Sequence, residues 1–506
     1  MIRRLCALAL LALPTPAAAE WHEASSAHFR VYSEQPVDRL TRFATELERF
    51  DKAIRLLRGD PDKPVGKANR VTVFVVDDTE AVQALLGRGG VAGFYRARAG
   101  GSLAFVPRHA GAANADDLDA QAILLHEYAH HLMFSMAPNA VYPAWYIEGF
   151  AEAMAATSFG KDGSVLIGNM PQYRAHSIMG ANPLPVRSLL LDDPSEFDAM
   201  QNQALYGQGW LLTHYITFGK ARQDQFGAYL LALNRGKSPA EAAAAFGDLG
   251  KLGSELERYK VSRLQGLRIN PQAIGNPAVA VRALTPGEAA TMDVRIQSKN
   301  GVSARTAPDV YAAARKAAAP FPKDPGAQIA LAEAAFDADD FAAAEAAADR
   351  AIAADPKSID GHVYKAKAQM ATAQRAKDER PETWNAIRRS ILVANNLDPQ
   401  DPEPLILYFA SFAAAHQPPG KDARDGLYSA FLLAPQDSGL RYATATMLLR
   451  TGDAARARTL LAPLAWQPHA AGRAKQARAL LARIDAGDVE GAVRLLDSPP
   501  KAPAKS

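Results

Sequence analysis

The chain has 506 residues, enough for two or three domains that each bury a core. Lys and Arg total 57 against 54 Asp and Glu, a net charge of +3. That near balance, without any basic stripe carrying interleaved aromatics, excludes a nucleic-acid binder.

Residues 1–19 read as a secretory signal peptide. Arg3 and Arg4 form its charged start, Leu5 to Leu13 its apolar core, and Ala17-Ala18-Ala19 a small-residue cleavage site before Glu20. The apolar run is too short to span a bilayer, and no later run approaches that length. The expected product is exported, periplasmic or secreted. The single cysteine, Cys6, would leave with the leader, so disulfides and thiol catalysis are excluded.

Residues 20–118 read as a small α/β unit. His28 to Tyr32 alternates like a strand. Val37 to Leu57 is an amphipathic helix with Leu40, Phe43, Leu47, Phe50, Ile54 and Leu57 on one face. Arg70 to Val76 is a valine-dense buried strand, Thr79 to Leu86 a short helix, and Ser102 to Val106 another strand. Gly87-Arg88-Gly89-Gly90 lacks the Lys-Ser/Thr ending of a phosphate loop and reads as a turn.

Residues 119–267 should be helical and hold the site. Ala120 to Met136 contains His126-Glu127-Tyr128-Ala129-His130. Helical spacing puts His126 and His130 one turn apart on one face, where two imidazoles can grip one Zn2+. Glu127 follows the first ligand and can reach a water at that metal. Downstream, Trp145-Tyr146-Ile147-Glu148-Gly149-Phe150-Ala151-Glu152 carries two carboxylates one turn apart. Either can be the third ligand. With Glu148 in that role, Glu152 is left to hydrogen-bond a ligand histidine. His131 points roughly 100° around the helix and reads as a packing residue. Gly160 to Asn169 reads as a hairpin-like excursion, and Pro183, Pro185 and Pro194 as a loop walling the cleft. Tyr206 starts an aromatic-rich helix with His214 and Tyr215.

These residues resemble the gluzincin metallopeptidases, especially the aminopeptidase N branch. The resemblance rests on His-Glu-x-x-His followed by Trp-x-x-Glu-Gly-Phe-Ala, from His126 to Glu152. It implies an α+β metallopeptidase domain with a small mixed sheet and a helical zinc-binding half. It makes Glu148 the third zinc ligand, with Glu127 as general base. It also implies an exposed edge strand beside the zinc helix, where peptides dock by strand addition; Ser102 to Val106 is the candidate. A zinc peptidase commonly adds a donor for the oxyanion, for which Tyr206 is the first choice and His214 and Tyr215 the reserves. The Gly-x-Met-x-Asn motif that binds a free substrate amine is absent, so exopeptidase specificity is not implied.

Residues 268–305 read as a connector with a β-hairpin: strands 278–282 and 292–296 around a turn at Thr285-Pro286-Gly287-Glu288. Residues 306–497 turn alanine-rich. Phe341 to Pro356 resembles the second helix of a tetratricopeptide unit. Similar closings recur at Leu397-Asp398-Pro399 and Leu433-Ala434-Pro435, and Ala443 to Leu461 forms a further unit. The expectation is an all-α tetratricopeptide-like solenoid that binds a protein partner or substrate. Residues 498–506 read as a disordered tail. The leading expectation is an exported zinc peptidase. The alternative is a catalytically silent scaffold of the cell envelope built on the same two parts.

Overall fold

The computed structural model describes residues 20–62, 65–87, 89, 92–108, 120–180, 183–468 and 471–497. The expected leader 1–19 with Cys6, Arg88 and Gly90 of the glycine turn, and the expected tail 498–506 lie outside these residues.

The chain opens with β1 (His22–Ser25), β2 (Phe29–Ser33), α1 (Val37–Arg58), β3 (Val71–Val76), α2 (Thr79–Leu86), β4 (Phe94–Arg96) and β5 (Leu103–Pro107). Next come α3 (Ala120–Met136), α4 (Ala144–Ala155) and a hairpin of β6 (Ser158–Phe159) and β7 (Val165–Ile167). The helical part continues with α5 (Ala175–Met179), α6 (Val186–Leu191), α7 (Ala199–Thr217), α8 (Gln223–Asn234), α9 (Pro239–Ala243) and α10 (Leu249–Lys260). A connector holds β8 (Leu267–Ile269), α11 (Pro271–Ile274), β9 (Ala280–Ala283), α12 (Pro286–Ala290) and α13 (Met292–Asn300).

Six strands form one sheet in the order β4-β5-β3-β2-β1-β9. β2, β3 and β5 run parallel, which buries both faces and accounts for the unbroken valine run of β3. Val71, Val73 and Val75 point to the face covered by α1 and α3, among Leu40, Leu47, Phe50, Leu124 and Tyr128. Phe74 and Val76 point the other way, among Trp21, Tyr32, Val82, Phe105, Met292 and Ile296. Helix α1 stops at Gly59, which takes φ 65 and turns its N–H onto the last carbonyls.

Three expectations are corrected. Ser102 to Val106 is not an edge: β5 lies between β3 and β4, and β4 is the edge beside the site. β4 escapes a sequence reading because three residues between glycines and charges carry no usable period. The connector hairpin is half right. Its first strand is β9, paired with β1, but the second segment is helical. Thr285-Pro286-Gly287-Glu288 is a helix start, with Thr285 and Glu288 capping each other's backbone N–H and Pro286 in the first turn. The aromatic helix begins at Ala199 rather than Tyr206, fixed by a reciprocal Asp198–Gln201 cap.

The C-terminal part is helical throughout. After α14 (Ala307–Ala318) come α15 (Pro325–Asp337) with α16 (Phe341–Ala354), α17 (Ile359–Arg375) with α18 (Pro381–Leu397), and α19 (Pro402–Ala414) with α20 (Lys421–Leu433). Two more pairs finish it: α21 (Ser438–Arg450) with α22 (Ala454–Leu464), and α23 (Ala471–Asp485) with α24 (Val489–Asp497). Asp324, Asp340, Ser358, Asp401, Asp437 and Asp453 cap the helix starts with side-chain oxygens. Pro356, Pro399 and Pro435 follow the second helices of three pairs, where a helix cannot continue. Buried alanines such as Ala332, Ala344, Ala348 and Ala366 let these helices approach closely.

The solenoid folds back on the rest of the chain. Lys299 of α13 pairs with Glu333 at 3.0 Å, and the Asn69 amide donates to the Gln400 carbonyl at 3.0 Å. Trp466, just past α22, packs on the same core as α3 and α4. No helix among the described residues is long and apolar enough to cross a membrane.

Candidate metal centre

Helices α3 and α4 pack face to face and supply the site. Leu124, Leu125, Tyr128, Leu132 and Met133 bury α3, leaving His126 and Glu127 partly exposed. Every residue of α4 is buried, including Glu148 and Glu152. Gly149 is why a helix carrying two carboxylates sits so deep. A β-carbon there would run into the Gly209 carbonyl of α7, so glycine lets the two backbones touch.

The distances are those of a three-donor cup. His126 Nε2 and His130 Nε2 lie 3.1 Å apart, and Glu148 Oε2 is 3.5 Å from each. A tetrahedral zinc ion with bonds of about 2.0–2.1 Å separates its ligand atoms by roughly 3.3 Å. The donor set of two imidazoles and one carboxylate fits that ion. Burial alone would lower the His126 imidazole. The hydrogen bond to Glu148 and the charges of Glu152, Glu148 and Glu127 outweigh it and lift the group to about 9. The pocket therefore favours positive charge at that point.

Glu152 departs from expectation. Its nearer oxygen stands 3.6 Å from His126 Nδ1, beyond hydrogen-bond reach. Its carboxylate accepts instead from Tyr173 Oη at 2.8 Å and from Arg174 Nε and Nη2 at 3.0 and 2.8 Å. Glu152 thus faces His126 electrostatically while anchored elsewhere. Neither Tyr173 nor Arg174 stands at a spacing that links it to the helix motif, so sequence reading misses both.

Tyr206 lies at the rim. Its ring centre is 6.2 Å from that of His126, and the Arg174 guanidinium covers its face at 4.5 Å. Burial raises the Tyr206 hydroxyl, and Glu148 and Glu152 add to this, so it holds its proton and remains a donor. The two reserves point elsewhere. His214 Nδ1 meets Tyr259 Oη at 2.9 Å, and Tyr215 Oη donates to Glu255 at 3.1 Å. Pro183 and Pro185 line a cavity of about 810 Å³ beside α6, α9 and α10, which none of the metal-centre residues lines. Tyr95 of β4 and His131 Nδ1 share a hydrogen bond of 2.7 Å, and His131 stacks on Tyr128.

A second group of His28, Asp51 and Asp62 also has donor atoms close together. His28 Nδ1 meets Glu48 at 2.8 Å, Arg55 binds Asp51 at 2.7 Å, and Lys52 binds Asp62 at 3.0 Å. Protein cations already occupy this cluster, and Tyr128 Oη ties it to α3 by donating to Asp51 at 2.7 Å. His109 and His469 lie outside the described residues.

No protein-family model matches the chain, and no curated protein matches it. Among solved structures, 37% of the chain is similar to 97% of TTC0263, a thermophilic TPR protein of Thermus thermophilus (17% identity, TM-score 0.32). A second likeness joins 74% of the chain to 76% of yeast Tom70 (13% identity, TM-score 0.26). Scores this low bear on no functional argument.

Proposed function

We propose that the chain is an exported, zinc-dependent peptidase of gluzincin type, hydrolysing peptide bonds within extended segments of protein. One observation carries this reading: His126, His130 and Glu148 converge at 3.1–3.5 Å, with Glu127 next to the first of them. Zinc held there would act as a Lewis acid toward a carbonyl and toward water. In this reading Glu127 would take a proton from the attacking water and pass it to the leaving amine. Tyr206, which keeps its proton, is the donor for the oxygen that gains charge. Arg174 braces that ring and holds Glu152. The outer edge of β4 pairs with no other strand among the described residues, leaving its backbone for an extended peptide.

Metal analysis of the purified protein, followed by a peptide-library digest, tests this. The wild type should bind about one zinc per chain and cleave peptides. E127Q should keep the metal and lose turnover by about a thousandfold or more. Loss of metal along with activity in E127Q would break the assigned division of roles. N-terminal sequencing of exported protein is expected to start at Glu20.

The stacked helix pairs favour a second reading. Such stacks present broad surfaces to other proteins, and the metallopeptidase fold would then be a binding module of the cell envelope. Bound zinc with no cleavage of any library peptide is its signature.

A further inference from the structure

The short turn after edge strand β4, residues 97–101, is gripped by the solenoid. The Ala99 N–H donates to Asp437 Oδ2 at 2.8 Å. The other oxygen of Asp437 caps α21, accepting from the Gly439 and Leu440 N–H groups. Ala99 itself packs on the core of the last repeats. Gly100 has φ 74 and lies against the Glu403 carboxylate, so close that a β-carbon on it would stand 3.3 Å from Oε2. Glu403 is paired with Lys367 of α17. On the near side, Arg98 Nη2 donates to the Lys299 carbonyl at 2.8 Å, and Arg96 Nη2 to Asn300 at 3.0 Å. Asp437 and Glu403 both belong to the starts of first helices, in successive pairs.

The same turn is connected to the metal centre. β4 carries Tyr95, whose hydroxyl is bonded to His131 on α3, beside the metal-ligand pair. A three-residue edge strand with one neighbour has little of its own to hold it. Phe94 stacks on Phe105 of β5 at 4.7 Å, Tyr95 is tied to α3 and Arg96 to α13, and the turn that follows is held by the solenoid.

We propose that the first helices of the repeats bind the chain's own residues 97–101 and thereby fix β4 as the template for substrate. Asp437 and Glu403 are positioning residues for the peptide cleft. The substrate half of this statement rests on the peptidase reading; the clamp itself does not.

D437N is the test, because asparagine keeps the helix cap and the shape but turns an amide donor toward the Ala99 N–H. D453N is its control. Asp453 caps α22, and among the described residues its contacts stay with Arg456 of the same turn. Hydrogen exchange of full-length protein should show residues 94–104 exchanging about tenfold faster in D437N, as expected for losing one charged hydrogen bond, and unchanged in D453N. For a peptide cleaved by wild type, KM in D437N should rise about threefold or more while kcat falls far less. Unchanged exchange in D437N, or an equal rise in D453N, overturns the clamp. Faster exchange with an unaltered KM overturns the positioning role. If wild type cleaves no peptide, the peptidase reading fails, and the exchange comparison still decides whether the solenoid holds the strand.

Discussion

His126 is raised to about 9 by neighbouring carboxylates, yet must be neutral to bind a metal. Zinc uptake by the metal-free protein should therefore release a proton. Apparent affinity should climb about tenfold per pH unit from pH 6 to 8, levelling off near 9. Competition titrations at several pH values measure this; a flat profile contradicts it. The sign for stability runs the other way. A group whose pKa is raised on folding contributes stability fully below about 6.5, and that contribution fades as pH rises through about 9. Arg174 joins two parts of the site, so R174A should loosen both. Removing it takes two of the three hydrogen bonds from Glu152 and uncovers Tyr206, and turnover of a peptide that wild type cleaves should fall about tenfold or more while zinc stays bound, read by steady-state kinetics beside chelator competition. His126, Glu127 and His130 can be picked out from the chain alone because helical spacing is local, whereas Glu148 is preferred to Glu152 only through the resemblance to the gluzincins. Arg174 and Tyr95 cannot, since their partners are distant in sequence and neither falls on a period.

At the scale of elements, α4 depends on its contact with α7. G149A adds one methyl where the Gly209 carbonyl already sits. The helices must part, at a cost of about 1–3 kcal/mol, and Glu148 moves with α4. We expect a lower Tm together with weaker zinc binding, whereas a surface Gly→Ala change such as that at Gly227, which has open space around it, should do neither. The elements that follow a clean period are those a sequence reading finds: α1 with its apolar face, β3 with its valines, α3 around the histidines. The two misreadings have separate causes. Met292 to Ile296 alternates like a strand, but the Thr285–Glu288 cap upstream starts helical structure that α13 continues. β5 looks like an edge because its outer neighbour β4 is too short to announce itself.

Taken whole, the molecule is one packed body rather than two tethered parts. The core around α3 and α4 also receives Ala462 of α22 and Trp466 just past it, and Arg478 of α23 approaches Asp193 at 3.6 Å. Heating should therefore give a single main transition. Removing metal should shift it, because a ligand at about a thousand times its Kd adds roughly 4 kcal/mol. Chelation is expected to lower Tm by several degrees in wild type and E127Q alike, and hardly at all in E148A, by differential scanning calorimetry. That the repeats land on the rest of the chain is not legible in the sequence: helix caps and alanine faces announce the stack, while its landing points are single side chains such as Trp466 and Asp437.

The contact of Trp466 with the distant core has a bearing on ancestry. Repeat arrays usually grow or shrink by whole units, since each new pair only has to fit its neighbour. Here the array is moored at intervals, at Glu333, Gln400, Asp437 and Trp466, and inserting or deleting one pair between them would swing the far mooring off its post. Its span is set by the body beneath it, so homologues of this chain are expected to hold the same number of pairs even where the sequences of those pairs have drifted apart.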